Sequence, residues 1–296
     1  MTDRDSRLRG VMLMIVAVGA FSVMDALMKH LAASYAPMQV VFLRGVASLP
    51  FVFLSYALTG RLAELRPRSV PMHLARAILS ILMLWCFIWA LAHMSLANTY
   101  SITLSAPLLV VPLSAIFLRE KVDGHTWAAI LAGLTGVLVI LKPTASGFAG
   151  LAGLAALAAA LCWAIVVVML RVMAATETTA SMVFWFLLLT ALGAGALSAY
   201  GWIAIDARDW TWIALLGLSG WAGQHLITEA FRLAPASTVA PFEYLSIVWG
   251  ACIDWIVWQA VPGSRMFAGA AIVIAAGLYL MHRERSRFAG VAPEPL

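Results

Sequence analysis

The sequence predicts an all-α membrane protein of ten transmembrane helices, built as two inverted five-helix repeats, and three observations carry that prediction. The first is composition: 63% of the 296 residues are apolar and 11% are charged, where a soluble domain carries nearer a quarter charged residues. A bilayer span takes about 20 consecutive apolar residues, so roughly ten spans fit this length with short loops between them. The second is that the chain divides into ten apolar runs bounded by charges, proline or glycine. The third is that the two halves align on one another with a shift of about 140 residues. A soluble enzyme, a nucleic-acid binder and a disordered scaffold are excluded, and the net charge of +5 becomes a matter of topology rather than of an acidic partner.

The runs, in order, are Gly10 to Leu31, Pro37 to Leu58, Pro71 to Ala92, Leu96 to Leu118, His125 to Leu141, Gly150 to Leu170, Ala180 to Tyr200, Asp209 to Phe231, Ala236 to Trp258 and Ser264 to His282. The first lies behind Arg4, Arg7 and Arg9 and imitates a secretory signal, but a signal core is about 7–15 residues and this run continues past Phe21. It reads as an uncleaved helix. None of the runs has the short alternation of a lipid-facing barrel strand. Unpaired backbone groups cannot stand in hydrocarbon, so helices are the consistent reading. Cys86, Cys162 and Cys252 are far apart inside apolar runs, which fits neither a disulfide framework nor a zinc site.

Orientation follows from the basic residues. With the N-terminus inside, Arg4, Arg7, Arg9, Arg61, Arg66, Arg68, Arg119, Lys121, Arg171, Arg232, Arg283, Arg285 and Arg287 face the cytoplasm, against Lys29, Lys142, Arg208 and Arg265 outside. Both termini are therefore expected to be cytoplasmic. In the repeat, Met38–Phe42 lies on Ala180–Phe184, Lys29 on Arg171, and Gly136 on Gly277. Five is odd, so a second copy begins on the opposite side from the first and the copies are inverted. Inverted repeats mark secondary transporters with a site near the midplane between the copies.

The segments Ala90–Asn98 and Ala230–Thr238, each joining two spans, with Phe42-Leu43-Arg44 and Leu118-Arg119-Glu120-Lys121, resemble the drug/metabolite transporter superfamily, EamA-type exporters. The second copy departs from the pattern at Trp258-Gln259-Ala260-Val261, where a Gly-Glu pair is common, so a role for Glu120 is not duplicated. The resemblance implies one repeat over 1–146, a second over 147–282 and a cytoplasmic tail over 283–296, in a bacterial-type inner membrane. It also implies a cavity lined mainly by spans 1, 3, 4, 6, 8 and 9, and points to the aromatic amino-acid exporter branch.

Ionisable residues at membrane depth cost about 2.5–3.5 kcal/mol each and are functional candidates by default. Asp25 and Lys29 share a face of the first span and are placed to pair near its outer end, with Arg44 as a further member of an outer gate. Arg76 is expected to snorkel to the interface. On span 8, Gln224 and Thr228 form one i, i+4 pair and His225 and Glu229 another, a band suited to substrate, proton relay or interface anchoring. On span 9, Glu243, Ser246, Gly250 and Asp254 make one polar stripe behind Pro241, which removes a backbone donor. Glu243 is the leading candidate for holding an amine or a proton. Tyr100 and Thr103 share a face with Pro107 on span 4, and Tyr100, Tyr244, Trp163 and Trp89 are candidate cavity rings, although tryptophan also gathers at membrane interfaces. Gly217, Gly220 and Gly223 read as close helix contacts.

Two other classes stand beside a carrier. Gly217-Leu218-Ser219-Gly220 imitates an intramembrane serine protease, but His225 is on the wrong face of the same helix to serve as its base. A passive channel needs rings of like charge, and the acids here are isolated. The expected partners are the lipid bilayer and a small amino-acid-like metabolite, with a proton as coupling ion; a riboflavin-like or cationic drug substrate is the alternative. No cofactor, metal, nucleic acid or enzymatic activity is expected.

Overall fold

The computed structural model describes residues 3–117, 124–141, 150–233 and 240–289; the Glu120 segment, Lys142, Pro143, residues 234–239 and the end of the tail lie outside them. Among the described residues the chain is helical without a strand. The helices are α1 (Asp3–Leu31), α2 (Pro37–Leu58), α3 (Val70–His93), α4 (Leu96–Thr103), α5 (Ala106–Phe117), α6 (Gly124–Leu141), α7 (Gly150–Met173), α8 (Thr179–Ser198), α9 (Trp210–Leu233), α10 (Leu245–Trp258) and α11 (Ser264–Ala289). A 3-10 turn, Ala240–Tyr244, leads into α10. Six stretches are long and apolar enough to cross a membrane: Leu8–Leu31, Pro37–Leu58, Val70–His93, Leu96–Leu113, Gly150–Leu170 and Thr179–Gly201. Shorter apolar helices lie over Gly124–Ile140 and Ser264–Leu280. With α4 and α5 taken as one broken span, the helices follow the ten apolar runs of the sequence.

Local chemistry sets several boundaries. Pro37 opens α2, where its missing N–H costs nothing. The Thr178 side chain caps α8 by accepting from the Ser181 N–H at 3.1 Å, and Ser95 caps α4 by accepting from Asn98. The break between α4 and α5 falls at Leu104–Ser105. The Ser101, Thr103 and Ser105 hydroxyls each donate back to a carbonyl of the preceding turn, a pattern that bends helices, and Pro107 follows without a donor.

The main pairings are α1 with α9, α3 with α7, α2 with α8, α4 with α10, and α6 with α11. Exchanging the first five spans for the last five maps this set onto itself. Gly217 of α9 sits so close to the Ala47 carbonyl of α2 that a Cβ there would clash. Gly136 and Gly269 bring α6 and α11 together in the same way, a Cβ on Gly136 standing 2.8 Å from the Gly269 oxygen.

Each end of the bundle carries a polar tie. At one end the Tyr35 hydroxyl donates to Asp209 Oδ2 at 2.5 Å and accepts from the Asp206 N–H, while Gln39 exchanges two hydrogen bonds with Ile203. At the other, Glu177 accepts from the Arg68 and Ser69 N–H groups at 2.8 and 2.7 Å and from the Ser181 hydroxyl, with His73 Nε2 at 3.3 Å. Tyr35 and Glu177 occupy matching places, each three residues before the aligned Met38 and Ala180. A phenol in one half does with a different donor set what a carboxylate does in the other.

Burial pushes the Glu177 carboxyl upward, but the backbone N–H groups, Ser181 and His73 outweigh it and hold the group below its ordinary value. A depressed carboxyl contributes stability that is present above its unfolded pKa and lost as pH falls through the folded one. Glu177→Gln is therefore expected to cost about 1–2 kcal/mol at neutral pH, and the gap to the unmutated protein should narrow below about pH 4. Thermal unfolding in detergent across pH reads both.

Candidate functional site

A cavity of about 770 Å³ lies between the helix pairs, and a second chamber of about 590 Å³ adjoins it. Phe21, Met24, Arg44, Met83, Trp163, Thr179 and Gln224 line both, so the two form one vestibule. Leu170, Ala174, Thr179 and Met182 line its far part, which places that part at the Glu177 end. At the opposite end Lys29 Nζ meets Asp254 Oδ1 at 3.1 Å and lies 4.4 Å from the Trp258 ring. The other Asp254 oxygen accepts from the Ala97 N–H, the first turn of α4, at 2.9 Å. Asp254 is wholly buried, so its charge is balanced by one cation and one helix N-terminus.

The sequence placed Asp25 against Lys29, four residues on; the fold separates them. Asp25 accepts from the Tyr100 hydroxyl at 2.7 Å, and Lys29 turns to α10. The i, i+4 geometry allowed the local pair, but a partner that also ties two halves of the bundle uses the same charge. Arg76 does not snorkel either. It is buried, donates through Nη1 to the Met182 carbonyl at 2.8 Å, and lines the second chamber.

Of the residues singled out in the sequence, Asp25, Arg44, Tyr100, Thr103, Trp163 and Glu243 line the main cavity. Glu243 is open to it, and its carboxylate makes no hydrogen bond among the described residues. The polar band of α9 divides: Gln224 and Thr228 face the cavity, while His225 stacks on Trp221 at 5.7 Å and, with Glu229, stands outside it. Those pairs differ by one residue, about 100° around the helix. Trp89 stacks on His93 at 4.1 Å away from the cavity, and Tyr244 is buried over Gly277 of α11. Ser219 donates to the Leu215 carbonyl, a bond within its own helix.

Arg44 and Thr179 bring α2 and α8 into the lining beside α1, α3, α4, α7, α9, the Glu243 turn and Ser246 at the start of α10. Sequence reasoning missed Phe21, Phe87, Met24, Met28 and Met83, which supply much of the wall. They sit in apolar runs where nothing distinguishes a cavity face from a lipid face.

The profile of EamA-like transporters matches residues 8–142 and again residues 150–282. The chain belongs to the EamA-like transporter family. Over 93% of its length, and 97% of the relative's, it is 29% identical to the pseudopaline exporter CntI of Pseudomonas aeruginosa. It is 28% identical to the riboflavin transporter of Vibrio cholerae over 97% of both chains. The S-adenosylmethionine uptake transporter of Rickettsia bellii is 25% identical over 93% of this chain and 94% of its own. A solved crystal structure, 18% identical, superposes with a TM-score of 0.61 over 96% of this chain and 99% of that one, which shows the shared fold. Family and relatives make this a multi-pass membrane transporter of a small molecule.

The Lys29–Asp254 pair yields a direct test. Asp254→Leu leaves Lys29 without its counter-charge and should cost about 3 kcal/mol, whereas Lys29→Met combined with Asp254→Leu should recover much of that loss, since replacing both members of a buried pair is far less costly than removing one. Thermal unfolding of the three proteins in detergent decides it.

Proposed function

We propose that the protein is a secondary transporter that exports amino acids, aromatic or large neutral ones and related compounds, from the cytoplasm across the inner membrane. One observation carries the reading: the main cavity holds carboxylates (Asp25, Glu243), a guanidinium (Arg44) and aromatic rings (Phe21, Phe87, Trp163) together. An amino acid with a ring side chain presents the complements of all three. The named relatives differ in cargo and in direction, so the cavity chemistry, rather than any one relative, selects the class.

Under this reading both termini and the Glu177 end are cytoplasmic, in keeping with the distribution of Lys and Arg. The cavity is then open inward and the Lys29–Asp254 contact closes the outer side. The repeats over 1–146 and 147–282 are inverted copies, a reading supported by the exchange symmetry of the helix pairings and by the double match of the family profile. Alternating access follows from rocking one copy against the other around a fixed midplane site. Cysteines placed at Arg66 and Arg208, both exposed, test the topology: a membrane-impermeant maleimide applied to intact cells should label position 208 and spare position 66.

Glu243 is the coupling group. Asp25 is engaged by Tyr100, so Glu243 is the cavity carboxylate left free to exchange a proton for the substrate. In proteoliposomes, Glu243→Gln should preserve counterflow of radiolabelled tryptophan or phenylalanine while abolishing accumulation driven by a pH gradient. Loss of counterflow at every pH makes Glu243 an amine-holding group instead, and normal transport in both assays removes it from the site.

A further inference from the structure

Two cations of the vestibule, Arg76 buried and Arg44 half-buried, are left without an ion pair among the described residues. Arg44 of α2 and Arg76 of α3 both lie against the ring of Phe186 of α8, with guanidinium carbons 5.8 and 5.0 Å from its centroid. Their charged heads are therefore no further apart than those two distances laid end to end. Arg76 is 7% exposed. Its Nη1 is committed to the Met182 carbonyl, while its Nε, on the adjoining edge of the fork, is buried without a partner. The Nε of Arg44 is likewise buried and unpartnered. Neither arginine forms an ion pair among the described residues: Asp25 acts on Arg44 only through space, and one of its two oxygens accepts from Tyr100. A buried guanidinium with unsatisfied donors is expensive, and the missing element is a planar anion that accepts two parallel hydrogen bonds.

We propose that Arg44 and Arg76, braced on Phe186, form an anion subsite that takes the carboxylate of the transported metabolite, so that a carboxylate is obligatory in the substrate. The proposal rests on the transport reading and narrows it. Zwitterionic and acidic amino-carboxylates are accepted, with the amine towards Asp25 and Glu243; amines, amides and neutral ring compounds lacking a carboxylate are not. The Phe186 ring lies against both cations, a cation–π contact that helps hold them in place. The subsite lies where the two chambers meet, since Arg44 lines both and Arg76 the second, so a substrate entering from the Glu177 end meets the cations first.

The test uses the intact purified protein and phenylglyoxal, which modifies free guanidinium groups, with adducts located by mass spectrometry after chymotryptic cleavage. The exposed Arg61, Arg66, Arg68 and Arg208 are internal references. Hippurate and phenylalanine are expected to slow modification of Arg44 and Arg76 several-fold and leave the references unchanged, while hippuramide, phenethylamine and sodium chloride at equal ionic strength protect neither. Equal protection by the amide and the amine, or protection by none of the probes, overturns the subsite. Counterflow of radiolabelled phenylalanine and tryptophan runs in parallel on the unmutated protein and on Arg44→Gln and Arg76→Gln. Protection without counterflow sinks the amino-acid reading and leaves the subsite standing. Counterflow that persists unchanged in both variants, without protection, leaves transport standing and sinks the subsite. Should either variant not fold, the protection pattern of the unmutated protein decides alone.

Discussion

A charge carried into the interior of a helical bundle has to find a counter-charge or a set of hydrogen bonds there, because hydrocarbon supplies neither. The placement of Asp254 answers to this constraint, and much of the architecture follows from how it is met. Its two oxygens hold Lys29 of α1 and the first turn of α4, so one wholly buried carboxylate joins the ninth span to two spans of the other half. With Lys29 drawn to α10, Asp25 is released to Tyr100, and Arg44 keeps its donors for the cavity.

The ends of the bundle repeat the logic with different side chains. Tyr35 and Glu177 stand at matching positions of the two halves, and each reaches across to a loop of the other. Both ties are made at once, at the starts of α2 and α8. The Lys29–Asp254 contact lies apart from them, among α1, α4 and α10. The ties and the Lys29–Asp254 contact are thus separate sets of interactions.

Much of the fold was legible in the sequence because the bilayer admits so few solutions: run length gives spans, and spans give helices. Part of the site was legible for a related reason. Acids, arginines and tyrosines are rare at membrane depth, so Asp25, Arg44, Tyr100 and Glu243 stood out against an apolar background. Methionine and phenylalanine do not stand out, and Met24, Met83, Phe21 and Phe87 were invisible as lining. Helical periodicity grouped Gln224 with Thr228 and His225 with Glu229 but could not say which pair faces inward.

Composition, run length and spacing along one chain give the class of protein, the order of its apolar helices and the short list of polar residues that needed explaining. Only the tertiary structure decided the partners. Asp25 with Tyr100 rather than Lys29, Lys29 with Asp254, Arg76 turned to Met182 rather than to the interface, and Arg44 and Arg76 brought to one ring all depend on contacts between distant helices. Local spacing lists the neighbours a charge could have, whereas the packing of helices far apart in sequence sets the distances that choose among them.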